Sequence, residues 1–368
     1  MNVLSLFDGM SCGQIALNEL GMFPDKYYAC EIDKFAIAQT KLNFPDTICL
    51  GDVTKLDVSK LEKIDLLIGG SPCQSFSFAG KMEGMSTEDN EEITTLERYL
   101  ELKEKGFKFA GQSYLFWEYV RVLEEVRKVN PNVLFLLENV RMLSKWEDVI
   151  NKTLGVKGVH INSSLVSAQI RKRIYWTNIA DIPQPEDKRI FLRDVLQTDV
   201  PEKYYIKGVT VENASTRQLR NLKGPDSKAN AFLATSWKGS SANGMTLVGV
   251  PKLEECLKEL FPRVQGLSIT KNGIRSHRGD EKKSGLGELK TILFESSEKT
   301  GTLLTSASSV PALIIKRRLR RITPTECARL QTVPDWYKWE CSDTQQYKML
   351  GNGWTVAVIY HIFSFIKY

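Results

Sequence analysis

Hydrophobic and polar positions along the chain alternate between two patterns: short apolar runs, and longer segments whose apolar residues recur at helical spacing. Runs of the first kind lie at residues 3–7, 27–30, 47–50, 64–68 and 133–137. A strand that is apolar at consecutive positions is buried on both faces, as in a parallel sheet covered by helices. Helical spacing follows at 14–20, ended by Gly21, again from Lys34 to Ala38, and at 114–129, where Phe116, Val120, Leu123 and Val126 share a face. Strand, turn and helix repeated in this order predict an α/β fold with a Rossmann-like sheet.

The second half reads differently. Residues 163–179 have β character, and strand alternation puts Gln169, Arg171 and Arg173 on one face. Beyond Pro183-Gln184-Pro185 the chain is rich in Gly, Ser, Asn and Lys up to about residue 309, which predicts a smaller, mainly β and loop domain. Thr323-Pro324-Thr325-Glu326 has the form of a helix start, and helices are expected at 345–350 and 355–365. The expected division is a larger domain at 1–183 and 335–368, with a smaller one at 184–334. Between Phe78 and Gly111 lies a long polar insertion containing an acidic helix over 91–105. Residues 75–84 read as a flap.

Composition narrows the classes. A chain of 368 residues with 42% hydrophobic and 26% charged residues is globular and long enough for two domains. Lys and Arg exceed Asp and Glu by 50 to 44, a balance that permits a polyanionic partner. Seven scattered cysteines without a CxxC pair point to a reducing compartment, and three histidines without ligand spacing argue against a bound metal. No apolar run approaches the ~20 residues that span a bilayer. The opening residues lack a secretion signal, so a soluble, cytoplasmic protein is expected.

Chemistry gathers at the ends of the apolar runs. Gly69-Gly70-Ser71-Pro72-Cys73-Gln74 follows a buried strand, which offers Cys73 at the carboxyl edge of the sheet as a candidate nucleophile; a packed loop cysteine is the competing reading. Asp8-Gly9-Met10-Ser11-Cys12-Gly13 is a GxxxG turn without the full glycine set for a pyrophosphate, and a plain structural turn is an equal alternative. Glu31, ahead of Asp33, is placed where ribose hydroxyls are held, or else serves as an acid at a helix start. Asp52 suits an adenine amine, with Val53 against the ring. Glu138 closes a wholly apolar strand and must be paired or functional. Basic residues gather at Lys271, Arg275, His277 and Arg278, and at Lys316-Arg317-Arg318 with Arg320 and Arg321, as a solvated face or a phosphate-binding one.

Taken in order, DGxxxG, an acidic strand end, GGSPCQ, LLENV, QxRxR, a variable polar stretch, RRITPTECARLQ and GNGWTV resemble the DNA cytosine-5 methyltransferases across most of the chain. The type is bacterial or phage-like, with LSLFDG and GNGWTV closer to the animal de novo branch. Departures are the insertion and Gly353, where many members carry Ser. The resemblance implies S-adenosyl-L-methionine as cofactor, S-adenosyl-L-homocysteine as product, double-stranded DNA as partner and a flipped target cytosine. It implies that Cys73 attacks carbon 6, that Glu138 serves ring nitrogen 3, and that Arg171 and Arg173 supply positive potential. It carries Phe7, Asp8, Gly9, Met10, Ser11 and Cys12 to the methionine and ribose side, Glu31 to the ribose, Ile32 and Val53 to the adenine faces and Asp52 to its amine. Pro72, Asn352, Gly353 and Trp354 would close the pocket. Gln74, Ser77, Gln169, Lys316, Arg317 and Arg318 are expected at the DNA. A monomer and a companion restriction endonuclease are further expectations. A tRNA methyltransferase of the same fold and a catalytically idle DNA-binding relative are the rival readings.

Overall fold

The computed structural model of the chain describes residues 1–72, 85–89, 91–210, 214–232, 234, 246–249, 267–270, 273–276 and 318–367. Its organising element is a seven-stranded sheet. The strands are β1 (Asn2–Leu6), β2 (Lys26–Cys30), β3 (Ile48–Cys49), β4 (Leu66–Gly69), β5 (Leu134–Val140), β6 (Val159–Asn162) and, beyond a separate two-residue strand β7 (Gln169–Ile170), β8 (Lys172–Thr177). Their order is β3-β2-β1-β4-β5-β8-β6. The first five are mutually parallel, whereas β8 runs antiparallel to both β5 and β6.

The apolar runs have two faces to bury, and alternate residues supply them. Leu4, Leu6, Leu67, Phe135 and Leu137 pack with α3 (Leu96–Glu104), α4 (Phe116–Val129) and α5 (Ser144–Leu154), after α1 (Cys12–Glu19) and α2 (Lys34–Asn43) in the chain. Val3, Leu66, Ile68 and Leu136 face the other way, against Ile15 and Leu17 of α1 and Val358, Ile359 and Ile362 of the last helix, Val356–Phe363. Each such side chain contributes about 1.5–3 kcal/mol by leaving water. Strand order reverses between β1 and β4, so their carboxyl ends open a crevice at a topological switch point.

Several boundaries differ from the sequence pattern. β5 continues through Glu138 and Asn139 to Val140, because β8 pairs with it along that length. The β character of 163–179 is interrupted by a 3-10 turn at Ser163–Leu165 and by Arg171, which stands between β7 and β8. The acidic segment is helical only over Leu96–Glu104, capped by Thr95. In the later chain a four-stranded sheet joins Leu222–Lys223, Leu247–Gly249, Arg318–Arg321 and Tyr205–Thr210 in that order, beside a short helix at Thr216–Asn221. A hairpin pairs Leu267–Thr270 with Gly273–Ser276. The helices Pro324–Leu330 and Asp343–Asn352 then lead back to the last helix.

Candidate active site

The turn after β1 is held in a conformation that side chains resist. Phe7 and Ser11 have φ of 58° and 60°, alongside Gly9 at 60°. Left-handed backbone at non-glycine residues persists only where surroundings enforce it, and such strain concentrates at functional sites. The surroundings are visible. Asp8 N–H donates to the Cys30 carbonyl at 3.1 Å, Ser11 N–H to the Asp8 carbonyl at 3.0 Å and Gly9 N–H to Glu31 Oε2 at 2.8 Å. The Asp8 carboxylate accepts from the Tyr27 hydroxyl at 2.8 Å and from Ser11 Oγ. Burial pushes its pKa up to about 6, with the nearby charge of Glu31 adding to the rise and the hydroxyl donors opposing it.

At the ends of β2 and β3 the acids separate by role. Asp33 caps α2 by accepting from Phe35 N–H at 2.9 Å, so the helix-start reading belongs to it and not to Glu31. Glu31 Oε1 takes the N–H groups of Ile32 and Asp33, both at 2.8 Å, while its other oxygen reaches back to Gly9. Ile32 is left 73% exposed, an apolar face without cover, whereas Val53 is buried in the core beneath the sheet. Asp52 starts the 3-10 turn Val53–Lys55 and accepts from Thr54 N–H at 2.9 Å and Thr54 Oγ1 at 2.8 Å.

The other wall of the crevice centres on Glu138. It is buried at the end of β5, with Arg173 Nε 2.9 Å from Oε1 and Trp354 Nε1 donating to Oε2 at 3.2 Å. The backbone that leads toward Cys73 passes against this pair. A Cβ on Gly70 would lie 2.8 Å from Trp354 Nε1 and 3.2 Å from Glu138 Oε2, so only glycine fits there. Asn139 Nδ2 donates to Ser71 Oγ at 3.1 Å and fixes the next residue of that backbone. Trp354 is in turn held from behind: Arg171 Nη2 donates to the carbonyls of Gly351 at 3.2 Å and Gly353 at 2.8 Å, and Gln331 Nε2 to those of Leu350 at 2.8 Å and Gly353 at 3.0 Å. A Cβ on Gly353 would stand 3.1 Å from Cys12 Sγ, so a serine there would press on this thiol.

The structure therefore unites Phe7, Asp8, Gly9, Met10, Ser11, Cys12, Glu31, Ile32, Asp52 and Val53 along three adjacent strand ends, and Glu138, Arg173, Gly353 and Trp354 close to Gly70 and Ser71, which lead into Pro72. Asn352 is exposed at the end of its helix. Gln169 and Arg171 are buried and Arg173 half-buried, while Ile170 and Lys172 between them are exposed, although Arg171 itself stands between the two assigned strands. Among the described residues neither amide atom of Gln169 is hydrogen-bonded, and Arg171, 3% exposed, ties down the 351–353 backbone. Cys73, Gln74, Ser77, Lys316 and Arg317 lie outside the described residues, and Arg318 opens the strand Arg318–Arg321. Sequence reasoning missed Tyr27, whose hydroxyl rests on Asp8, and Gln331. The latter stood in RRITPTECARLQ as a polar residue at the end of a helix, a signal without a target until the carbonyls it clamps were known.

A switch-point crevice with acidic strand ends is the site of a Rossmann-like nucleoside-binding domain. The comparisons agree: a family model described as C-5 cytosine-specific DNA methylase matches residues 1–368. The orphan methyltransferase M.SPRI of Bacillus phage SPR is 26% identical, covering 99% of this chain and 97% of its own. The type II methyltransferase M1.ScrFI of Lactococcus lactis subsp. cremoris is 27% identical, covering 91% of this chain and 70% of its own. In fold, the S. pombe Dnmt2 methyltransferase superposes with a TM-score of 0.61 at 16% identity, over 99% of this chain and 97% of that one. The chain belongs to the C-5 cytosine-specific DNA methylase family, whose chemistry uses S-adenosyl-L-methionine. Among the described residues no helix is long and apolar enough to cross a membrane.

Proposed function

We propose that the protein methylates carbon 5 of a cytosine flipped out of double-stranded DNA, in a sequence-dependent manner. The observation that carries this is Glu138: a buried carboxylate with two donors, packed against Gly70, which precedes Cys73 by three residues in the sequence. Carbon 5 of cytosine is a poor nucleophile, so Cys73 first adds to carbon 6 as the thiolate and converts the ring to an enamine. Glu138 hydrogen-bonds or protonates ring nitrogen 3, which relieves the negative charge created by that addition. Oε2, held by the longer bond to Trp354, is the oxygen assigned to the base, while Arg173 stays on Oε1. Once the enamine carbon 5 has taken up the methyl group, loss of its remaining proton to a base lets the electron pair expel Cys73 as the thiolate and restore the aromatic ring. Carbon 6 is unreachable inside a stacked duplex, which requires flipping, with Gln74 and Ser77 assigned to the vacated gap.

The crevice fits a cationic, adenosine-bearing cofactor. Three carboxylates, Asp8, Glu31 and Asp52, converge on it, and the raised pKa of Asp8 is what a neighbouring positive charge would relieve. Glu31 is assigned to the ribose hydroxyls, Asp52 to the adenine amine and exposed Ile32 to a ring face. The turn 7–12, Pro72 and Asn352-Gly353-Trp354 complete the pocket. When bound, the cofactor supplies an electrophilic methyl group on a sulfonium. Lys316, Arg317 and Arg318 are assigned to phosphates, with sequence choice in the domain at 184–334.

Trapping tests the assignment. Bisulfite sequencing of plasmid DNA from expressing cells identifies the target context. Duplex carrying 5-fluorocytosine there, with enzyme and S-adenosyl-L-methionine, should then form a complex that survives denaturing electrophoresis, since fluorine cannot leave as a proton. Cys73→Ser should form none and Glu138→Gln should form it far more slowly. An adduct made equally well by Cys73→Ser would end the case for this nucleophile, and methylation confined to RNA would favour the tRNA reading.

A further inference from the structure

A buried carboxylate outside the active site connects the insertion to the cofactor turn. Glu118, on α4, is fully shielded from solvent, a position that a charge tolerates only when paired. It accepts from the Tyr99 hydroxyl at 2.5 Å, Lys103 Nζ at 2.6 Å and Arg121 Nε at 2.9 Å. Tyr99 and Lys103 are four residues apart on α3, one face of a helix that belongs to the insertion. Arg121 sits one turn along α4 and is also paired with Glu125 at 2.8 Å.

The cations gathered there do more than join two helices. Arg121 Nη2 donates to the Val53 carbonyl at 3.0 Å and Nη1 to the Leu56 carbonyl at 3.3 Å, while Lys103 Nζ lies 3.5 Å from the Thr54 carbonyl. These carbonyls all belong to the turn that Asp52 begins. Rings add a second link: Tyr99 packs on Phe109 and Tyr114 with centroids 5.1 and 6.1 Å away, and the charge of Asp52 contributes to the raised pKa of Tyr114, after burial and Glu118.

We propose that α3 is a brace for cofactor binding, in which Tyr99 and Lys103 of the insertion act as positioning residues, holding Glu118 and Arg121 so that the 52–56 turn keeps its shape. The proposal rests on the assignment of Asp52 to the cofactor. An ordinary ion cluster between two helices would serve stability alone, and its loss would lower the active fraction, and so apparent kcat and the calorimetric stoichiometry, without raising the KM for cofactor. A brace acts on cofactor affinity and leaves the later chemistry alone.

Lys103 is 36% exposed, so Lys103→Met is compatible with folding. In the full-length protein, calorimetry with S-adenosyl-L-homocysteine should show about a fivefold or greater loss of affinity. The KM for S-adenosyl-L-methionine should rise by the same factor, while kcat at saturating cofactor and the KM for DNA stay at wild-type values. Lys103→Arg should restore binding, and Tyr99→Phe should give a smaller loss in the same direction. Unchanged affinity in Lys103→Met overturns the brace, as does a parallel fall in kcat and DNA binding. A wild-type protein that binds no S-adenosyl-L-homocysteine overturns instead the cofactor assignment beneath it.

Discussion

Asp8 brings a titration into the range where such enzymes are assayed. Its folded pKa, about 6, lies above the ordinary 3.8, so the folded state holds this proton more tightly than the unfolded chain does. That contribution to stability is present below pH 4 and is lost as the pH rises through 6, an effect of about 3 kcal/mol for two pKa units. A cation bound beside the carboxylate reverses the preference. Cofactor affinity should therefore rise from pH 5 to pH 7 and then level off, more steeply for S-adenosyl-L-methionine than for uncharged-sulfur S-adenosyl-L-homocysteine, with proton release near pH 6 by calorimetry. A flat profile would remove Asp8 from the site. Gln169 supports a second test, because its buried amide has no hydrogen-bond partner among the described residues. Gln169→Met should stabilise the fold by about 1–2 kcal/mol, read as a higher denaturation midpoint. A stabilised but less active variant would assign the amide to the DNA-bound state. At this scale the placement of Glu31, Asp52 and Glu138 at strand ends was legible because each closes an apolar run. What Arg171 holds was not legible, because the Gly351 carbonyl it reaches lies 180 positions away.

Elements were read most reliably where local chemistry and burial agree. Thr323-Pro324-Thr325-Glu326 is a capping box: Thr323 Oγ1 accepts from Glu326 N–H at 3.1 Å and Glu326 Oε2 from Thr323 N–H at 2.8 Å. The apolar runs became strands because two helical layers cover both their faces. The tertiary use of that capping box was invisible in the sequence. Glu326, fully buried, also accepts both Arg320 guanidinium nitrogens at 2.8 and 2.7 Å and the Gln197 N–H at 2.8 Å. One carboxylate thus joins the strand Arg318–Arg321 to a helix start and to the 192–197 segment, so Arg320 leaves the basic run that the sequence offered to phosphates. Arg320→Met should destabilise by about 3–5 kcal/mol, because it strands a buried charge, whereas Arg320→Met with Glu326→Leu should recover part of that loss. Thr323→Ala should cost about 1 kcal/mol. Chemical denaturation of these three variants and of Glu326→Leu alone checks the order, and additive losses in the double variant would deny the pairing.

For the whole molecule, the proposed function separates a chemical centre at the strand ends from a second domain that chooses DNA. The crevice is built from strand ends whose geometry the sheet fixes, and its parts are spread from Phe7 to Trp354. The composition shift after Pro185 was legible, but the pairing within 184–334 was not, since short strands with mixed faces carry little periodicity. Phosphate contacts position a protein on the duplex and base contacts specify the sequence. Replacing 184–309 with the corresponding stretch of a relative of known specificity should therefore move the methylated sequence, as read by bisulfite mapping. Retention of the original context would place specificity in the catalytic domain. The three cations at 316–318 should behave differently, because neutralising phosphates releases counterions without reading bases. Lys316→Gln with Arg317→Gln and Arg318→Gln should weaken binding to target and non-target duplexes by similar factors and lower the slope of log affinity against log salt by roughly 2–3. The methylated sequence should not change. A selective loss on the target duplex, with the salt slope intact, would instead make these residues base readers.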